Sequence, residues 1–218
     1  MQSGSLRVAA TAFAATAGIL LAGCGGDSEP KDGKIAGAEQ GGGGKASKSP
    51  SASASAAADR PKIKLPSDLK HEFEWAKTGD KEKDAVLHDT EQYIMAIDMA
   101  IAEQDPLHKA YGFYSEGERA AETQKYVQAY VDEKARATGT VRYYDATVTV
   151  NGGSSASLVY CEDQGKVFDM YIKTSKVNKT PVTKNSYVLY AAKLRKNELG
   201  VWVTEDLNSE RGSAKCQS

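Results

Sequence analysis

The sequence predicts an α+β domain in which N-terminal helices pack against one curved antiparallel sheet. Three observations lead there. Apolar residues recur at helical spacing between Pro66 and Thr138. After Gly139 their period drops to two, and the strand-like runs are separated by turn signals such as Asn151-Gly152-Gly153. Helices grouped ahead of hairpin-linked strands give this class. The composition agrees: 218 residues, 26% charged, 40% hydrophobic and a formal net charge of -1, the balance of a globular chain. Near neutrality leaves no field for wrapping nucleic acid, which is not expected as a partner.

Taken in order, Pro66 and Ser67 open a short predicted helix with Leu69, Phe73 and Ala76 on one face. Gly79 and Asp80 interrupt it. A long helix follows from about Lys81 to Gln104, with Leu87, Thr90, Ile94, Ile97 and Ile101 in helical register. Asp105-Pro106 reads as a cap and first-turn proline for a short piece to about Tyr111. Ser115 and Glu118 have capping-box spacing and open a helix to about Thr138, with Val127, Tyr130, Val131 and Lys134 on one side. The predicted strands are Val141 to Val150, Ser155 to Cys161, Lys166 to Ile172, Ser186 to Arg195 and Val201 to Leu207. Asp163-Gln164-Gly165 and Lys196-Asn197-Glu198 supply turns, and a longer loop precedes Ser186.

Ahead of this domain, Val8 to Leu21 is an apolar run of 14 residues. It is too short to span a bilayer, which needs about 20, and has the length of a signal-peptide core. The run ends in Leu21-Ala22-Gly23-Cys24. These residues resemble the lipobox of bacterial lipoproteins: Leu, two small residues, then Cys. The resemblance implies a signal peptide over 1–23, a diacylglyceryl group on Cys24 with palmitate-type acyl chains, and a protein held at the outer face of the cell membrane. Each buried methylene contributes about 0.8 kcal/mol to such an anchor. Gly25 to Arg60 is 36 residues, 24 of them Gly, Ala, Ser or Pro. Such a segment buries too little to offset its ordering entropy, so 24–60 reads as a lipidated cysteine and a disordered tether. Its rms reach is roughly 30–36 Å.

The domain proper is 61–218. Helices followed by a meander, a late Gly200-x-Trp202 with Val203 and a terminal cysteine resemble secreted lipoproteins of high-GC Gram-positive bacteria, many of which have the nuclear transport factor 2-like fold, or cystatin-like roll. The resemblance implies a sheet wrapped around the long helix, giving a cone-shaped roll with a conical pocket. It implies no single activity, because this fold hosts isomerases, dehydratases, binding modules and assembly subunits. With Cys24 lipidated, Cys161 and Cys216 remain, and two thiols in an exported domain are expected to pair. Their bridge closes a loop of about 55 residues, worth about 4 kcal/mol by chain entropy.

Asp98 is the most informative carboxylate, the only charge between Tyr93 and Ala102. An apolar helix of this kind is buried, and a buried carboxylate needs partners. It is either a base or ligand anchor facing the pocket, a rim residue, or a structural acid satisfied by Tyr or Arg. Tyr93, Met95 and Met99 neighbour it and are candidates for the same cavity or for plain core. His88, four residues after Asp84, sits in a charged helix end. No HExxH or related spacing exists, so no metal is expected. The absence of GxSxG, GxGxxG after a strand and GxxxxGK[ST] argues against a serine hydrolase, a dinucleotide enzyme or an NTPase, and no cofactor is expected. The stretch from Asp169 to Glu198 holds seven bases and no further acid between its ends. It forms either a basic fringe for anionic polymers or a solubilised sheet edge.

Together these features read as a membrane-anchored cell-surface lipoprotein whose domain binds a small ligand or an envelope partner without catalysis. One alternative is a motif-poor isomerase- or dehydratase-like enzyme using Asp98, which needs Tyr143, Tyr160 or Tyr190 facing it. The other is a subunit of an envelope assembly. The anchor makes a direct prediction: Cys24→Ser leaves the chain unprocessed or released into the medium. Membrane fractionation and intact mass check this, and unchanged retention and mass would overturn it.

Overall fold

The computed structural model describes residues 59–217; the expected signal peptide, Cys24 and nearly all of the expected tether lie outside the described residues. The element order is β1 (Leu69–Phe73), α1 (Lys81–Ala102), α2 (Lys109–Phe113), α3 (Gly117–Glu133), β2 (Ala135–Asn151), β3 (Ser155–Tyr171), β4 (Lys176–Asn178), β5 (Tyr187–Lys196) and β6 (Trp202–Arg211). The sheet runs β1-β2-β3-β5-β6, with β4 paired to β3. Only the β1–β2 pair is parallel; the others are antiparallel. This is the α+β class with helices against a curved sheet.

The helix expected at 67–76 is strand β1. Leu-Lys-His-Glu-Phe alternates between inward and outward residues, and β2 supplies its ladder partners from Gly139 to Tyr143. Tertiary pairing overrode a weak local helical pattern. Helix α1 begins where Asp80 Oδ1 accepts from the backbone N–H groups of Glu82 and Lys83, at 2.9 and 3.2 Å, a side-chain N-cap. Asp105 and Pro106 open no helix: Asp105 Oδ1 instead accepts from Leu107 N at 2.9 Å, and His108 Nδ1 caps α2. The Ser115 capping box is also absent. The Ser115 hydroxyl donates to Tyr111 O at 2.9 Å, and α3 starts after Glu116 without a side-chain cap. Helix α3 stops at Glu133, short of Thr138, because Lys134 turns left-handed at φ 51° and β2 starts immediately after.

β2 and β3 are each 17 residues long. The turn expected at Asp163-Gln164-Gly165 does not occur, and β3 runs through it. Arg142 pairs with Asp163 and Thr140 with Lys166, so β3 holds one extra residue there. That is a bulge, with Asp163 Oδ1 accepting from Gly165 N at 2.8 Å. A second bulge sits in β2 between Tyr144 and Thr147, where Asp145 has φ 52°. Bulges bend and twist a long pair. At the crossing, Gly139 has φ +104°, and a Cβ there would lie 2.2 Å from the Lys166 carbonyl oxygen. Only glycine fits.

Helix α1 is buried on both sides. Val86, Leu87 and Ile94 pack with Val141, Leu158, Leu194 and Trp202 on the sheet. Tyr93, Ala96, Met99 and Ile101 pack with Tyr111, Tyr114, Val127 and Val203. Cys161 and Cys216 form a disulfide that ties the C-terminal tail to β3, with Tyr144 packed beside it. Strand alternation puts Cys161 on the face opposite Tyr160 and Glu162.

Asp89 on α1 is fully buried. Its carboxylate accepts from the Trp202 backbone N–H at 2.8 Å and pairs with the Arg60 guanidinium. Arg60, assigned above to the end of the tether, thus belongs to the folded domain. Asp89→Ala strands both donors and is expected to cost about 3 kcal/mol. A lower urea midpoint at unchanged slope is the expected result.

Candidate functional site

A cavity of about 690 Å³ opens between α1, α3 and the inner face of the sheet. On α1, Tyr93, Ile94, Ile97 and Asp98 contribute to its wall. These positions cluster on one side of a helix advancing 100° per residue. Met95 and Met99 fall on the opposite side and do not line the cavity. Met99 is core, its sulfur 3.2 Å from the Lys64 backbone N–H. Tyr93 lines the wall, but its hydroxyl is engaged with Thr123 Oγ1 at 2.6 Å and with Arg119 Nε at 3.0 Å.

Asp98 reaches the cavity with 17% of its side chain exposed. Its Oδ2 lies 2.7 Å from Nε2 of His71 on β1, whose side chain is 1% exposed. This is ion-pair distance without hydrogen-bond alignment, and neither His71 nitrogen has a hydrogen-bond partner among the described residues. Phe73 and Tyr143 hold the imidazole edge-on at 5.9 and 5.6 Å. His71 itself does not line the cavity. Its contact with Asp98 is made outside that wall.

A second acid, Glu162 on β3, shares the wall and is almost buried. Burial pushes its carboxyl above the usual range. Hydrogen bonds from Tyr190, Gln164 and Tyr143 pull it back, while the charge of Asp98 adds to the rise. Gln164 Nε2 donates to Oε2 at 2.8 Å, and the Tyr143 hydroxyl to Oε1 at 3.3 Å. Gln164 in turn accepts from Arg211 at 2.7 Å. Tyr143, Tyr160 and Tyr190 all line the cavity, and burial raises each phenol far above its ordinary value. Tyr130 is likewise pushed up to about 12, mainly by burial. The tyrosines are therefore neutral donors at physiological pH.

Sequence reasoning did not single out Glu162 or the partnership of His71 with Asp98. Period-two alternation carried the first signal, since Glu162 shares a face with Tyr160. It was lost because the strand was ended at Cys161. The same period in Leu69-Lys70-His71 carried the second. His88 is exposed, and His108 serves as the α2 cap with Glu103 3.2 Å away. Among the described residues no group of three or more His, Cys, Asp or Glu is placed to hold a metal ion.

No protein-family profile matches the chain, and no curated protein matches it by sequence. Solved structures with a similar course include a ketosteroid isomerase-like protein from Erwinia carotovora atroseptica, at 14% identity and TM-score 0.43, over 62% of this chain and 98% of that one. The intermembrane space region of the chloroplast protein ARC6 has 8% identity and TM-score 0.40, over 62% and 99%. The VirB8 protein of Agrobacterium tumefaciens has 11% identity and TM-score 0.38, over 64% and 99%. These likenesses concern the chain's course and bring no activity with them.

The raised carboxyl of Glu162 has a stability consequence. As pH rises past the ordinary glutamate value of 4.5, the unfolded chain releases this proton before the folded one does. The folded state then loses stability until Glu162 ionises in it too. Glu162→Gln is expected to lose less stability than the parent across that window. Urea midpoints measured on both proteins through the pH series check this, and identical slopes would contradict it.

Proposed function

We propose that this protein is a membrane-anchored cell-surface lipoprotein whose single domain binds a small ligand in the cavity beside α1. The observation that carries the binding reading is the cavity itself. Its volume is about 690 Å³, within the range of small-molecule sites, and its few polar groups converge from α1 and the sheet. The lipobox at Leu21 to Cys24 and the Gly/Ala/Ser-rich segment after it support the anchoring half of the reading.

One observation favours a second reading, proton-transfer catalysis. Asp98 has His71 at 2.7 Å and faces a wall that holds Glu162, the buried Tyr143 and Tyr160, and the half-buried Tyr190. An oriented carboxylate with a neighbouring weak acid is the equipment of general acid–base chemistry.

Native mass spectrometry of the protein extracted gently from its own membrane separates the two. Under the binding reading a small molecule of defined mass accompanies the chain, and Asp98→Asn retains the same mass at lower occupancy. Under the catalytic reading Asp98→Asn carries a different mass, that of the unconverted substrate. Parent and variant both arriving empty, at protein concentrations that preserve weak complexes, would overturn the binding reading.

A further inference from the structure

We propose that the cavity takes a small organic cation, an ammonium group on an apolar body, seated against Asp98 and Glu162 and over the faces of the tyrosines. The inference rests on the binding reading above and names the chemical class of its ligand.

The first argument is an imbalance of charge inside the wall. Asp98, Glu162 and Asp169 all line the cavity. Glu162 and Asp169 receive hydrogen bonds from neutral donors: Gln164 and Tyr143 for the first, Tyr130 at 3.3 Å for the second. Of the two guanidiniums of the wall, Arg119 has an acid partner and Arg211 is held by neutral acceptors, so neither is paired with the three acids. Arg119 pairs with Glu122 at 3.0 Å and donates to Tyr93 and Thr123. Arg211 donates to the Gln164 side chain and the Asn185 carbonyl. Among the described residues, His71 is the one basic side chain that comes within salt-bridge distance of any of the three acids. A cation brought by the ligand would complete the set.

The second argument is independent of the first and comes from the rings. Tyr160 and Tyr190 stack at 5.2 Å, and Tyr143 lies 6.2 Å from Tyr160. Tyr126 and Tyr130 meet edge to face at 5.4 Å on α3. All five line the same space as the carboxylates. The faces of such rings attract a cation through their quadrupole, and more strongly where water is excluded. Burial keeps the phenols of Tyr143 and Tyr160 neutral, so they add no charge to the wall.

The competing classes fit less well. A pure hydrocarbon would cover the carboxylates and give nothing back for their lost hydration. An anion would meet three carboxyl groups, Asp98, Glu162 and Asp169, against two guanidiniums, one of them already paired with Glu122. An ammonium with an apolar body satisfies the acids, the ring faces and the aliphatic wall of Ile94, Ile97 and Val141 together.

The test uses the full mature chain in detergent and three probes of one shape. They are choline, its neutral carbon isostere dimethylbutanol, and the anionic isostere dimethylbutyrate. Calorimetric titration is expected to give choline an affinity about tenfold or more above dimethylbutanol, with dimethylbutyrate weakest. Asp98→Asn is expected to bring the choline affinity down towards that of dimethylbutanol, removing most of that preference. Glu162→Gln repeats the comparison should the first variant fold poorly. Equal binding of choline and dimethylbutanol would overturn the cation inference and leave the binding reading standing. So would a preference for dimethylbutyrate. Absence of binding by any probe would also overturn it, while the mass-spectrometric experiment decides the binding reading separately.

Discussion

Two 17-residue strands cannot cover a helix while staying flat, and the way β2 and β3 bend sets the rest of the structure. The bend is built from three local departures: left-handed Asp145 in one strand, the extra residue before Lys166 in the other, and Gly139 where the strands press together. Each departure loosens the ladder locally and raises the twist. The result is a concave face with room for α1 against one part of it and for a cavity beside the rest. A side chain at position 139 would strike the backbone of Lys166, so the curvature and the cavity depend on that glycine together.

Helix α1 then carries a double burden. It is packed by the sheet on one side and by α2 and α3 on the other, so its polar groups must be answered from within the protein. Asp89 and Asp98 are answered differently. Asp89 is closed off completely, held by Arg60 from the N-terminal segment and by the backbone of β6. Asp98 has a histidine on one side and open space on the other. The first is an anchor of the fold. The second leaves a carboxylate facing a cavity, with its charge felt by Glu162, Tyr143 and Tyr130 across the space.

The opposite face of the sheet has a different task. There the Cys161–Cys216 disulfide and the Tyr144 hydroxyl, which donates to the Cys216 carbonyl, hold the C-terminal tail. Successive residues of β3 therefore alternate between jobs: Tyr160 and Glu162 build the cavity wall while Cys161 between them fastens the tail. Covalent restraint and cavity-facing chemistry sit within three residues without sharing space, because strand side chains alternate faces.

Periodicity made the α+β class, the long α1 helix and most strands legible, since side-chain patterns at 3.6 and 2 residues follow from local backbone geometry. Asp98 was legible for the same reason: a lone charge in an apolar helix stretch must be answered somewhere. The identity of its partner was not, because His71 lies 27 positions away on a strand that forms only when β2 is there to pair with it. Glu162 shares the cavity face with Tyr160 because β3 runs on past Cys161, paired with Tyr143 on one side and Val188 on the other, where local turn chemistry at Asp163 pointed to a stop. Met95 and Met99 left the site because the cavity occupies one side of α1, and composition does not say which side. The sequence by itself determined most element types, a lone acid on the long helix and the pair of cysteines. Only the tertiary structure decided which long-range neighbours those residues acquired, because pairing and packing between distant segments select among local conformations of nearly equal energy.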